Sequence, residues 1–163
     1  MAGAALGGAI SYLLSRQQIK EARAQRLEAE RSERDRRSVE RRLDIYGDFL
    51  TRARRYRNAI REPNNPQEGP GLPLQEIGDL ARAADPAGSL VHLVTRSRET
   101  AAACGKVMRT IGNTSGTLHA FAGDDFRGVP WEELNEDMST VLRGFQSAAR
   151  AELGIEDGDV AEV

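Results

Sequence analysis

An uncharged apolar cap, Ala2 to Leu14, runs directly into a charged, Arg-rich segment from Arg16 to Glu62. No other feature constrains the fold as strongly. The layout predicts one long helix that starts in or on a membrane and continues as a polar stalk. Ile19 to Ser38 contains no Gly or Pro and few β-branched residues, and its Ala, Glu, Gln and Arg are strong helix formers. Glu30 precedes Arg34 by four, Glu33 precedes Arg37 by four and Asp48 precedes Arg52 by four, the spacing at which opposite charges support an exposed helix. Between Leu27 and Val39 there is no large apolar residue, so this stretch is expected to be solvated nearly all round.

The cap itself, at ~1.5 Å per residue, spans roughly 20 Å and falls short of a ~30 Å hydrocarbon core. Three uses fit it. It is the end of a transmembrane helix whose start lies upstream, a short interfacial anchor, or an apolar helix end packed on the domain. The first is the leading expectation, with Leu6, Ile10, Leu13 and Leu14 as the anchoring side chains. A cleaved secretory signal is disfavoured, because no basic residue precedes the apolar run and no suitably placed small-residue triplet follows it. Arg16, Lys20, Arg23 and Arg26 follow the cap immediately, which would hold the body on the cytoplasmic side of the cell membrane. Gly3, Gly7 and Ser11 recur every four residues and offer a close-approach face for a homo-oligomer through this helix.

From Val39 the pattern becomes amphipathic. Val39, Leu43, Tyr46, Leu50, Ala53 and Ile60 form an a/d-like stripe, widened by Phe49 and Tyr56, and the helix is expected to end near Arg61, before Pro63. A coiled coil is one use of this stripe; packing on the chain's own helices is the preferred one. Leu74 to Ala84 is a short amphipathic helix. Asp85-Pro86 is expected to punctuate it, with Pro86 opening the next helix, Ala87 to about Ile111. Gly112-Asn113 is expected to stop that helix, leaving Thr117 to Ala122 as a further turn or two. The last helix starts at Pro130 and buries Trp131, Leu134, Met138, Val141, Leu142, Phe145, Ala149 and Leu153, with Gly154 as its C′ residue.

The expected fold is therefore all-α: a long N-terminal helix, apolar cap plus polar stalk, joined to an up-and-down bundle of three to four helices. Residues 1–15 are an apolar anchor segment, 16–38 a charged stalk, 39–154 the bundle domain with a loop at 62–73, and 155–163 an acidic tail expected to be disordered. A low aromatic content, 5%, agrees with this class, because the core must then be built mainly from aliphatic residues that suit helices.

Chemistry is sparse. His92 and His119 are too few for a metal site and are expected to be structural; Cys104 falls on an apolar face and is expected to be a small buried hydrophobe. Asp124-Asp125 suits a Gly-flanked turn, and Asp157-Gly158-Asp159 lacks the further ligands of a calcium loop. No catalytic, cofactor-binding or metal-binding residue is assigned, and an enzyme is not expected. The one suggestive cluster is Arg52, Arg54, Arg55, Arg57 and Arg61, a candidate anion-binding face for nucleic acid or anionic lipid. The segment Arg16 to Glu62 carries +6 and the remainder −8, a basic arm beside an acidic body.

The apolar start, the Arg/Glu stalk, the segment ERRLDIYGDFLTRARRYRNAIR and the closing FQSAARAELG resemble small single-anchor helical proteins of uncharacterised function from GC-rich bacterial genomes. That resemblance implies location and fold and supplies no catalytic residues. The functional expectation is a membrane-tethered, cytoplasm-facing helical adaptor for an unknown protein partner. The alternative is a soluble helical protein that binds nucleic acid or anionic lipid through the Arg-rich face.

Overall fold

The computed structural model describes residues 3–60, 73–122, 126 and 128–155, and the side chains among these from residue 20 onward. Among the described residues there are four helices: α1 (Gly3–Ala59), α2 (Leu74–Val94), α3 (Arg98–Phe121) and α4 (Trp131–Leu153). No strand occurs among the described residues. The chain divides into two compact units, Met1–Glu40 and Arg41–Val163.

In the first unit, residues 20–37 of α1 are exposed on every side. Two of the expected pairs are in place here, with Arg34 3.7 Å from Glu30 and Arg37 bonded to Glu33, and the structure adds a third in which Arg36 Nε donates to Glu40 at 2.8 Å. Exposed pairs of this kind contribute little against water and salt, so the segment rests on intrinsic propensity as much as on them.

In the second unit, neighbouring helices run antiparallel. Arg52 Nη1 donates to the Ala83 carbonyl, 3.4 Å, and ties α1 to α2. Cys104 Sγ lies 3.7 Å from the Gly88 carbonyl between α2 and α3, and Thr100 donates to the Ala148 carbonyl, 3.2 Å, between α3 and α4. α1 and α3 run parallel, with the Tyr56 hydroxyl donating to the Ile111 carbonyl at 3.2 Å and meeting Ser115 Oγ at 2.8 Å. Aliphatic residues share the core with Tyr46, Phe49, Tyr56, Trp131 and Phe145, and three of these rings meet between α1 and α4. There Phe145 stands edge-on to both Phe49 and Tyr46, with ring centroids 5.0 and 5.8 Å apart. Such edge-to-face pairs add about 1 kcal/mol each to the area they bury.

Four expectations need correction. The buried stripe of α1 is Arg42, Tyr46, Phe49, Ala53, Tyr56 and Ile60, spaced four and three, whereas Val39 and Leu43 are 37% and 50% exposed. Two apolar stripes lie side by side on this helix, and the one carrying three aromatic rings faces inward because it removes more surface from water. Second, α2 passes through Asp85-Pro86 without a break. Pro86 is exposed, and the flanking Ala84, Ala87 and Gly88 are buried. A Cβ on Gly88 would lie 3.0 Å from Met108 Sδ and 3.4 Å from Phe49 Cε2, so glycine allows α2 this close an approach. That packing outweighs a cost of about 3 kcal/mol for proline in a helix interior. The chain turns later, at Thr95 to Ser97, where the Ser97 side chain caps α3 by accepting from the Glu99 and Thr100 amides. Third, α3 continues through Gly112-Asn113 to Phe121. Ile111, Thr114 and Leu118 hold one buried line across that point, while Gly112 and Asn113 face solvent.

The fourth concerns the histidines, neither of which is in the core: both are exposed, and His119 Nδ1 meets the Ser115 carbonyl of its own helix at 2.9 Å. The end of α4 follows expectation. Gly154 takes a left-handed conformation at φ 69°, with its amide on Ala151 and that of Ile155 on the Arg150 carbonyl. Residues 62–72 of the expected 62–73 loop, Asp124-Asp125, and residues 156–163 of the expected 155–163 tail, including Asp157-Gly158-Asp159, lie outside the described residues.

Candidate functional site

The four described arginines of the candidate anion-binding face, Arg52, Arg54, Arg55 and Arg57, do not share one face. At ~100° per residue, Arg52 and Arg54 point to opposite sides of α1. Arg52 bonds Asp48 of its own helix at 2.9 Å and turns toward α2, where it donates to the Ala83 carbonyl. Arg54 turns toward α4 and donates to Gln146 Oε1 at 3.1 Å. Arg55 is exposed and Arg57 half-buried, and among the described residues no acid lies within ion-pair distance of either. Arg61 lies outside the described residues. The four described guanidinium groups are thus one engaged with α2, one engaged with α4, and two others at different angles.

The anchor residues Leu6, Ile10, Leu13 and Leu14 fall within α1, and their side chains are outside those described. Among the described residues, no helix is long and apolar enough to cross a membrane. The expectation of a transmembrane helix therefore finds no such helix here.

The most constrained polar site was not anticipated. Glu152, on the buried side of α4, collects donors from three parts of the chain. Arg42 Nη1 at 2.9 Å and the Arg96 amide at 2.9 Å reach Oε1; the Tyr46 hydroxyl at 3.0 Å and Thr95 Oγ1 at 2.6 Å reach Oε2. The Arg42 and Glu152 side chains are only 8% and 5% exposed. Burial by itself would raise the Glu152 pKa, but the bonds from the Arg96 amide, Thr95 and Arg42 outweigh it and hold the carboxyl down at about 2. The carboxylate stays charged with its lone pairs occupied, which suits it to locking α1, the α2–α3 turn and α4 together and unsuits it to act as a base. A sequence signal did exist: Arg42 precedes Tyr46 by four on the aromatic stripe, and Glu152 sits between Ala149 and Leu153 on an apolar one.

Beside this lock, on the outer surface, α1 and α4 form an apolar groove of about 210 Å³. Leu43, Tyr46, Gly47 and Leu50 line one wall, and Gln146, Ala149, Arg150, Leu153 and Ile155 the other. Cys104 is fully buried, and burial pushes its thiol up to about 11, so it is unreactive where it stands. Among the described residues, no group of three His, Cys, Asp or Glu side chains is placed to hold a metal ion.

No family model, no curated protein and no solved structure matches this chain. The reading of its function therefore rests on geometry and composition.

Proposed function

We propose that this chain is a non-catalytic helical interaction module carried on a helical tether. The observation that supports it is the run of residues 20–37, helical yet exposed on all sides. A helix segment of this kind gains nothing from a core, so what it offers is distance and stiffness. In this reading the apolar residues Leu6, Ile10, Leu13 and Leu14 anchor one end at a membrane. Arg16, Lys20, Arg23 and Arg26 keep the stalk on the cytoplasmic side. The bundle of residues 41–155 then presents its surface to a protein partner.

Membrane fractionation of the chain expressed from its native upstream DNA tests this. The expected result is a pelleted protein that resists carbonate and is released by detergent, and a soluble, helical, folded product once residues 1–15 are deleted. A full-length chain that remains in the supernatant removes the anchor. A deletion that unfolds the bundle assigns the cap to the core instead.

A further inference from the structure

We infer that one face of the stalk lies flat on an anionic bilayer, held there by Lys20, Arg23, Arg31 and Arg34 arranged around Leu27. This concerns residues 20–34 of α1 and holds whether or not the apolar cap inserts.

The stalk is exposed on every side, but its charges are not evenly spread. At about 100° per residue, Lys20, Arg23, Arg31 and Arg34 all fall within about 40° of Leu27. Steps of three, four, four and three along the chain keep these five side chains on one line of the helix. All five are exposed, Leu27 to 57%. Over roughly 20 Å of helix no acid interrupts the line. Lys20, Arg23 and Arg31 have no acid within ion-pair distance among the described residues, so their charge is unmatched within the chain. Arg34 shares its charge with Glu30, 3.7 Å away.

The acids lie on the flanks. Glu21, Glu28 and Asp35 sit about 80–120° round from Leu27 on one side, and Glu33 about 120° round on the other. Glu30, about 60° round, is nearest to the line and is the acid that Arg34 holds. This distribution selects the shape of the occupant. The major groove of a nucleic acid is about as wide as a helix, so its phosphate walls stand against both flanks. The flanking acids would then face phosphate. A flat anionic surface meets only the front arc and leaves those acids in water. The centre of the line selects further. The boundary between headgroups and acyl chains accepts an apolar side chain set among basic ones, and the stems of Lys and Arg lie along it with their charges at the lipid phosphates. On such a surface the length of the stalk runs along the membrane plane, and the distance it sets is lateral.

Cys104 is fully buried, so a cysteine introduced on the stalk can be labelled alone. Full-length chains carrying Leu27→Cys, or Gln25→Cys on the opposite side of the helix, are labelled with an environment-sensitive fluorophore. They are then mixed with phosphatidylcholine vesicles that contain or lack phosphatidylserine. The label at position 27 is expected to shift to the blue on phosphatidylserine vesicles and to return toward its aqueous emission with added salt, while the label at position 25 stays in water. Neutralising one basic residue near an anionic surface weakens binding by about fivefold. Lys20→Gln, Arg23→Gln and Arg31→Gln together should therefore raise the phosphatidylserine concentration needed on the order of a hundredfold. Glutamine is a strong helix former and these three side chains make no ion pair, so circular dichroism should show unchanged helicity. No shift at position 27, an equal shift without phosphatidylserine, an equal shift at position 25, or unchanged binding by the triple variant would each overturn the inference. A duplex oligonucleotide that shifts the label at a lower phosphate concentration than the vesicles do would assign the face to nucleic acid and overturn the lipid. Capture by the cap alone appears as binding to both kinds of vesicle with the position 27 label in water; that rejects the inference and leaves the anchor standing.

Discussion

The two halves of α1 are covalently one helix and are stabilised in opposite ways. From residue 20 to Glu40 the helix rests on local forces, namely propensity and the pairs Glu30–Arg34, Glu33–Arg37 and Arg36–Glu40. From Arg41 to Ala59 it rests on burial: Tyr46, Phe49, Ala53 and Tyr56 are at most 2% exposed, and Arg42 is locked to Glu152. Local forces of this kind are weak and can be removed singly without consequence. Burial terms are several times larger and couple α1 to α2, α3 and α4. Helical continuity is thus no guide to where stability resides.

Mutation should expose that contrast. The largest effect is expected for Phe49→Ala, which empties a fully buried site against Phe145 and should cost about 3–5 kcal/mol in a denaturant titration of the bundle. Next is Glu152→Ala, which removes the carboxylate paired with the buried Arg42 guanidinium and should cost about 3–5 kcal/mol at neutral pH. Its pH signature has a definite sign. The carboxyl is lowered from 4.5 to about 2 on folding. Its contribution, on the order of 3 kcal/mol, is therefore fully present above about pH 4.5 and is lost as the pH falls through about 2. Native stability should decline across that window, and the part due to this carboxylate should be missing from the variant. If the two proteins lose stability in parallel on acidification, the lock contributes nothing through charge.

Smaller effects refine the comparison. Gly47→Ala replaces an exposed helical glycine whose Cβ would meet no neighbour, and should raise the bundle's stability by about 1 kcal/mol, read as an upward shift in Tm. Arg37→Ala breaks one exposed pair in the other half. It should lower far-UV helicity slightly at low salt, by an amount worth about 0.3–0.5 kcal/mol, and leave the bundle's Tm unchanged. A drop in Tm as large as that of Phe49→Ala would mean that the two halves share one cooperative unit.

Much of this architecture was legible in advance because it depends on short windows of sequence. The all-α class, the i,i+4 pairs, the buried line of α4 from Trp131 to Ala149, and the left-handed Gly154 at its end all follow from propensity, periodicity and glycine's freedom at positive φ. The angular separation of Arg52 from Arg54 is also implied by helical geometry alone. What misled was punctuation. Pro86 and Gly112-Asn113 carry strong local signals to stop a helix, yet neither stops one, because the residues around them are already committed to a buried face.

The sequence by itself therefore determined that the chain is helical, where its exposed stalk lies, and which residues are available for a core. Tertiary structure alone decided which of two adjacent apolar stripes on α1 turns inward, leaving Leu43 outside. It also decided that α2 and α4 take different arginines, and that Arg42 finds Glu152, 110 residues away. The physical reason is one of range. Propensity and i,i+4 pairing act within a turn or two of helix, whereas burial and the pairing of buried charge depend on which surfaces the fold brings opposite one another.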